Sequence, residues 1–308
     1  MFRNNNKMHN KLSKNILNIL LLSAGVGGLL TGFASATEGG GGAYPNGAEG
    51  IMAGALPPPG FYYVNYATHY NADGAQLPVD LKLDVSANVS RFVYMTEHKL
   101  FGADYGTYMV VPLLHVSAML DTHSPAGTIS STESGLGDIA FSPLVLAWHS
   151  KNWHVATGLE FVVPTGDYDK HNLANLGRNY WTIEPVFAAT YITDYGLELS
   201  GKFMYDFNTE NSDTDYKSGQ EFHVDYAVAY HTGPWTLGVG GYVYKQTTSD
   251  SGAGVTDPDG NKGQVLAIGP SVKYDLAGLS IEAKYQEEIW VENRPEGNKL
   301  WLKMSLPL

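Results

Sequence analysis

Twelve ionisable residues fall on the polar side of segments that alternate in character. Glu198, Lys202 and Asp206 stand four apart, and Glu221, His223 and Asp225 alternate. Glu282, Lys284 and Glu288 keep the same parity, and Glu160, Glu184 and Lys303 do so in other segments. Two kinds of chemistry fit acids and bases interleaved on one face. They can pair across neighbouring strands and fill a narrow barrel. Alternatively they can ring a constriction that selects solutes, where a surplus of acid disfavours anions. Tyr242, Tyr244 and Trp301 share this side by parity, either as lumen packing or as stacking surfaces for an aromatic solute.

Catalysis finds less support. His115-Val116-Ser117 puts an imidazole and a hydroxyl on one face of a strand, the start of a nucleophile pair. No orienting Asn or Asp and no Gly-rich oxyanion segment lies beside it in sequence, so no enzyme activity is expected. Asp257-Pro-Asp259-Gly260-Asn261 has oxygens at calcium-loop spacing, with Asp213 and Asp215 in another loop. It lacks the later bidentate Glu, and turn chemistry explains Asp-Gly-Asn. No metal or cofactor is therefore assigned. His149 and His231 read as polar turn residues.

The elements that must position these side chains are strands. Residues 180–208 show this best: Trp181, Ile183, Pro185, Phe187, Ala189 and Tyr191 share a face opposite Glu184. After a turn at 192–196, Leu197, Leu199, Gly201, Phe203, Tyr205 and Phe207 oppose Glu198, Lys202 and Asp206. Strand side chains alternate between faces, so this is a hairpin with one oily and one charged face. Its length and its aromatic ends fit a membrane-spanning strand pair. Twelve candidate strands follow, near 61–70, 82–96, 105–120, 137–148, 152–164, 179–192, 195–208, 219–231, 234–246, 263–274, 278–289 and 298–308. Short connections alternate with longer polar ones near 71–81, 121–136, 165–178, 209–218, 247–262 and 290–297. The phase slips around Arg91-Phe92, which suggests a bulge, and 105–120 is apolar on both faces around Pro112. The fold expected is all-β: a transmembrane antiparallel β-barrel of about 12 strands over residues 61–308. A secreted β-sandwich would share the alternation but leave one face of each sheet wet.

Composition agrees. Of 308 residues only 16% are charged, 20 are Tyr, 6 Trp and 35 Gly, and there is no Cys and so no disulfide framework. Residues 1–36 read as a signal peptide: Arg3, Lys7, Lys11 and Lys14 precede an apolar stretch from Ile16 to Leu30, and Ala34-Ser35-Ala36 is a cleavage signal. Removing those four basic residues moves the formal charge from −12 to −16, which argues against nucleic acid as a partner. Residues 37–60 are rich in Gly and Pro. Tyr44, Ile51, Met52, Leu56 and the run Pro57-Pro58-Pro59 suit a segment lying in or under the barrel mouth, a plug, better than a solvated linker.

The string Glu38 to Pro45, then Gly47-Ala48-Glu49, Gly54-Ala55-Leu56 and Pro57 to Gly60, resembles the start of SphA-like outer-membrane proteins, of the family labelled meta-pathway of phenol degradation. Gly135 to Asp138, Ser142-Pro143-Leu144 and Pro164 to Tyr168 strengthen the likeness, which runs from about residue 37 to the C-terminus. The resemblance implies an outer-membrane barrel taking up small hydrophobic or aromatic molecules, with outer-membrane lipid and lipopolysaccharide around it and no catalytic residues. One departure is the final residue, Leu308, where such barrels commonly end in an aromatic. A non-transporting structural or adhesive barrel is the alternative, and a barrel hydrolase a third.

Overall fold

The alternation becomes wall. A computed structural model of the chain describes residues 38–74, 80–121, 127–253, 255 and 262–308. The signal-peptide segment and the loop containing Asp257 and Asp259 lie outside the described residues. The strands are β1 (Gly60–Asp73), β2 (Asp80–Leu100), β3 (Ala103–Asp121), β4 (Thr128–Leu136), β5 (Ile139–His149), β6 (Trp153–Val163), β7 (Thr182–Ile192), β8 (Leu197–Asn208), β9 (Tyr216–Lys217), β10 (Glu221–Thr232), β11 (Trp235–Gln246), β12 (Ser251–Gly252), β13 (Gln264–Leu276), β14 (Leu279–Glu292) and β15 (Glu296–Pro307). Twelve of them pair antiparallel with their neighbours in chain order, β9 and β12 forming a small separate two-stranded sheet between two loops and β4 extending one wall position. β15 pairs back onto β1, for example Thr68 opposite Trp301, so the sheet closes and leaves no edge in the ring.

Closure sorts the side chains by solvent. Leu199, Val228, Leu237 and Leu302 are each about half exposed on the outside, while Glu198, Asp206, Glu221, His223 and Asp225 are fully buried inside. Apolar side chains so exposed over the whole circumference of a soluble sheet would be costly. Against hydrocarbon they are at rest. Aromatic residues bound this belt: Trp153 packs with its ring tilted on Tyr191, and Trp235 likewise on Tyr274, at the short-turn end, while Trp181 and Phe207 lie towards the other end of the β7–β8 hairpin. From Trp181 to Tyr191 is about 33 Å of strand, or about 23 Å along the axis at a tilt near 45°, close to the height of a barrel's apolar band.

The structure corrects three details of the sequence reading. A strand, β4, lies within the expected 121–136 loop; its residues alternate between half-buried and exposed, with no apolar face to betray it. The connection expected at 290–297 is only 293–295, since β14 runs to Glu292. Pairing of β1 with β2 runs unbroken past Arg91 and Phe92, and the irregularity lies between Met95 and Lys99 instead. Arg91 points inward and Phe92 outward in ordinary alternation. The sequence looked slipped because the lumen face of β2 is itself apolar.

Pro112 also finds its reason. β3 pairs with β5 as far as Val110 and with β4 from Leu113 onward. Pro112, which has no N–H to give, sits at the changeover, and its carbonyl accepts from the Gly137 N–H at 2.9 Å, where β4 ends. Beyond β6 the connection 164–181 turns inward and packs Ala174 and Leu176 on Val116 and Ala118.

Candidate functional site

A chain entering a barrel lumen must satisfy every backbone group it brings there, and the lumen side chains do this for residues 44–54. Asp225 on β10 accepts three donors from the segment: the Tyr44 hydroxyl at 2.7 Å, the Gly47 N–H at 2.8 Å and the Glu49 N–H at 3.0 Å. Burial first, and the Asp225 carboxylate next, push the Tyr44 phenol well up, so its hydroxyl remains a proton donor. Three strands round the ring, on β14, Lys284 donates to the carbonyls of Gly47 and Ala48, both at 2.7 Å, and of Glu49 at 3.2 Å. Glu198 accepts from the Met52 N–H at 2.6 Å, and Thr190 from the Gly54 N–H at 3.0 Å. Gly54 is required where it stands: a Cβ there would lie 2.6 Å from the His154 carbonyl oxygen and 2.7 Å from the Thr190 nitrogen.

Glu49 carries the segment's only charge in this stretch and meets three partners. Lys303 lies 2.5 Å away, the Tyr66 hydroxyl 2.7 Å and Arg91 3.0 Å. Burial alone would raise the Glu49 carboxyl; Lys303 and then Arg91 outweigh it and hold it well below the usual carboxylate range. Around this anchor Lys202 rests on the Tyr44 ring, 4.3 Å from its centroid. Trp301 donates to Gln286 at 3.1 Å. Further along the lumen, Tyr242 donates to Glu288 and receives Lys299 on its face, and Tyr244 donates to Glu221 and receives Arg294.

The expected lumen set therefore does face inward, and it divides by role. Lys202, Asp225, Lys284 and Lys303, with Glu198, hold the inserted segment. Glu282 lies 3.9 Å from Lys284 as its ion partner. Tyr242, Tyr244 and Trp301 are covered by neighbours rather than open to the lumen. Of the segment, Tyr44 and Ile51 are buried and Met52, Leu56 and Pro57 half-buried, whereas Pro58 and Pro59 lie exposed as the chain leaves to start β1. Sequence reasoning missed Glu49, Arg91 and Asn46. It also missed His231, which is not a mere turn residue: its Nε2 lies 2.6 Å from Glu198. Pairing of charges across the lumen was the only available signal, and register is invisible in sequence. His115 and Ser117 lie on the outer face and bond separately to β4, to Ser134 and Thr132.

The segment does not fill the lumen evenly. Between Met52–Pro57 and the walls of β1–β3 and β5–β8 lies a chamber of about 150 Å³, lined by Leu56, Tyr62, Val93, Val145, Ala156 and Val186 among others, with Lys202 and Lys303 at its polar side. An apolar cavity of about this volume accepts a molecule such as benzene.

Comparison with known proteins completes the description. The pattern of the family described as MetA-pathway of phenol degradation matches residues 68–304. No protein with a curated description matches the chain. Among solved structures, an outer membrane channel from Pseudomonas putida F1 is similar with a TM-score of 0.69 at 15% identity, over 84% of this chain and 99% of that one. The transport unit of the autotransporter AIDA-I from Escherichia coli is similar with a TM-score of 0.50 at 7% identity, over 84% and 96%. At such identities the likeness is one of fold.

Proposed function

Since this chain belongs to the family described as MetA-pathway of phenol degradation, we propose that it is an outer-membrane channel through which small hydrophobic or aromatic molecules diffuse. The carrying observation is the chamber beside the inserted segment: apolar on most of its lining, single-ring in size, and bordered by Arg91 and Lys303, whose charges are paired with Glu49. Selection then follows from shape and from the cost of desolvating polar solutes. Outer-membrane lipid surrounds the apolar belt, and lipopolysaccharide meets the loop end.

Ala156 is buried and projects from β6 into the chamber. The Ala156→Phe variant fills that space. Flux of benzyl alcohol into proteoliposomes is expected to fall on the order of tenfold, while the variant still migrates as a folded barrel on unheated gels; overpacking costs about 1–3 kcal/mol, which a barrel tolerates. Undiminished flux removes the chamber from the path. The alternative reading, a closed structural barrel, rests on how many bonds hold residues 44–54. It wins if the native chain passes no benzyl alcohol at all.

A further inference from the structure

One part of the lumen is left out of balance. Register places Glu160 on β6 directly opposite Glu184 on β7, a like-charge pair that is unfavourable by itself. Tyr108 donates to Glu160 at 2.6 Å. Glu184, fully buried, has no partner for either oxygen, and its carboxyl lies against that of Asp206 on β8. Asp206 Oδ1 and Glu221 Oε2 are likewise buried without a hydrogen-bond partner. Lys202 lies over the Tyr44 ring and Arg294 over the Tyr244 ring, and neither hydrogen-bonds these carboxylate oxygens. Unpartnered buried carboxylate oxygens are expensive.

His223 stands at their centre. Its Nε2 is 3.1 Å from Asp206 Oδ2 and 3.4 Å from Glu221 Oε2, and the donor atoms of the three residues all lie within 4.8 Å of one another. Its other nitrogen, Nδ1, is 2.5 Å from Asn46 Oδ1. With Nδ1–H donating to that oxygen, the Nε2 lone pair is turned toward the carboxylates. Ligand atoms around a four-coordinate ion with bonds of about 2.0–2.1 Å stand about 3.3 Å apart, and metal-bound imidazoles characteristically donate their second N–H to a fixed acceptor.

We propose that Asp206, Glu221 and His223, with Glu184 beside them, form a binding site for one divalent transition-metal cation such as Zn²⁺. An imidazole with carboxylates suits such an ion, whereas Ca²⁺ prefers an all-oxygen set. Bound there, the cation neutralises the surplus carboxylates and ties β8 to β10. Because Asn46 orients the imidazole, it also fastens the inserted segment. None of these four residues lines the chamber beside Met52–Pro57.

The test uses the untagged full-length mature protein, metal-stripped and folded in detergent. Zn²⁺ is added, the protein is desalted, and bound metal is measured by mass spectrometry alongside a titration. One equivalent is expected for the native chain. His223→Gln and Asp206→Asn should each weaken binding at least about tenfold, and Asn46→Ala, outside the wall and no threat to folding, by about tenfold. Heat-modifiable gel mobility confirms that each variant is folded. The proposal is overturned if the native chain retains no zinc. It is equally overturned if His223→Gln and Asn46→Ala both hold zinc as tightly as the native chain does.

Discussion

Deleting residues 44–57 yields a wider and noisier pore whose single-channel conductance is higher than native on the order of tenfold, because conductance follows open cross-section and this segment occupies the middle of a twelve-strand lumen. The wall should survive the loss. The segment contributes no strand: its bonds run to Asp225, Glu198, Thr190 and Lys284, which lie on wall strands that pair among themselves. Planar-bilayer recording reads the result. A deletion variant with native conductance would mean that the lumen closes by some other means.

Glu49→Ala has the second largest effect. It leaves the largely buried Arg91 and Lys303 side chains, 16% and 17% exposed, without their shared counterion. Stripping one partner from a buried pair costs about 3–5 kcal/mol, enough to shift the docking equilibrium of the segment by about two to four orders of magnitude. The native chain should record as a quiet pore of low conductance, and the variant as flickering towards the conductance of the deletion. Protease cleavage within 44–57 should rise in parallel. The pH dependence has a fixed sign. Because the Glu49 carboxyl is held below its ordinary range, its contribution is complete above that range and is lost only as pH falls through the depressed value. The Glu49-dependent closure should thus be equal at about pH 8 and about pH 5.

The wall was legible in the sequence because a lipid-facing strand imposes a strict period of two. Glu198, Lys202 and Asp206 could be assigned inward once Leu199, Phe203 and Phe207 were assigned outward. β4 escaped because Thr128–Leu136 carries no oily row on either face. The inserted segment could be suspected from Ile51, Met52 and Leu56, but not its anchors. Tyr44 and Asp225 are 181 residues apart, and Glu49 and Lys303 are 254 apart. No local pattern records such a contact. The carboxylate cluster was hidden in the same way: each acid was visibly inward, but only cross-strand register puts Glu160 against Glu184 and Asp206 beside His223.

The central claim, an apolar outer face and a lumen occupied by the chain's own N-terminal segment, is open to one direct measurement, since the chain has no cysteine of its own. Single cysteines at Leu199 and Ser200, neighbours on β8, are placed in nanodisc-embedded protein and treated with a water-soluble maleimide. Leu199→Cys should stay unlabelled with or without residues 44–57. Ser200→Cys, buried in the native chain, should be protected there and label readily once those residues are deleted. Rapid labelling at position 199, or equal labelling of position 200 in both backgrounds, would contradict the account.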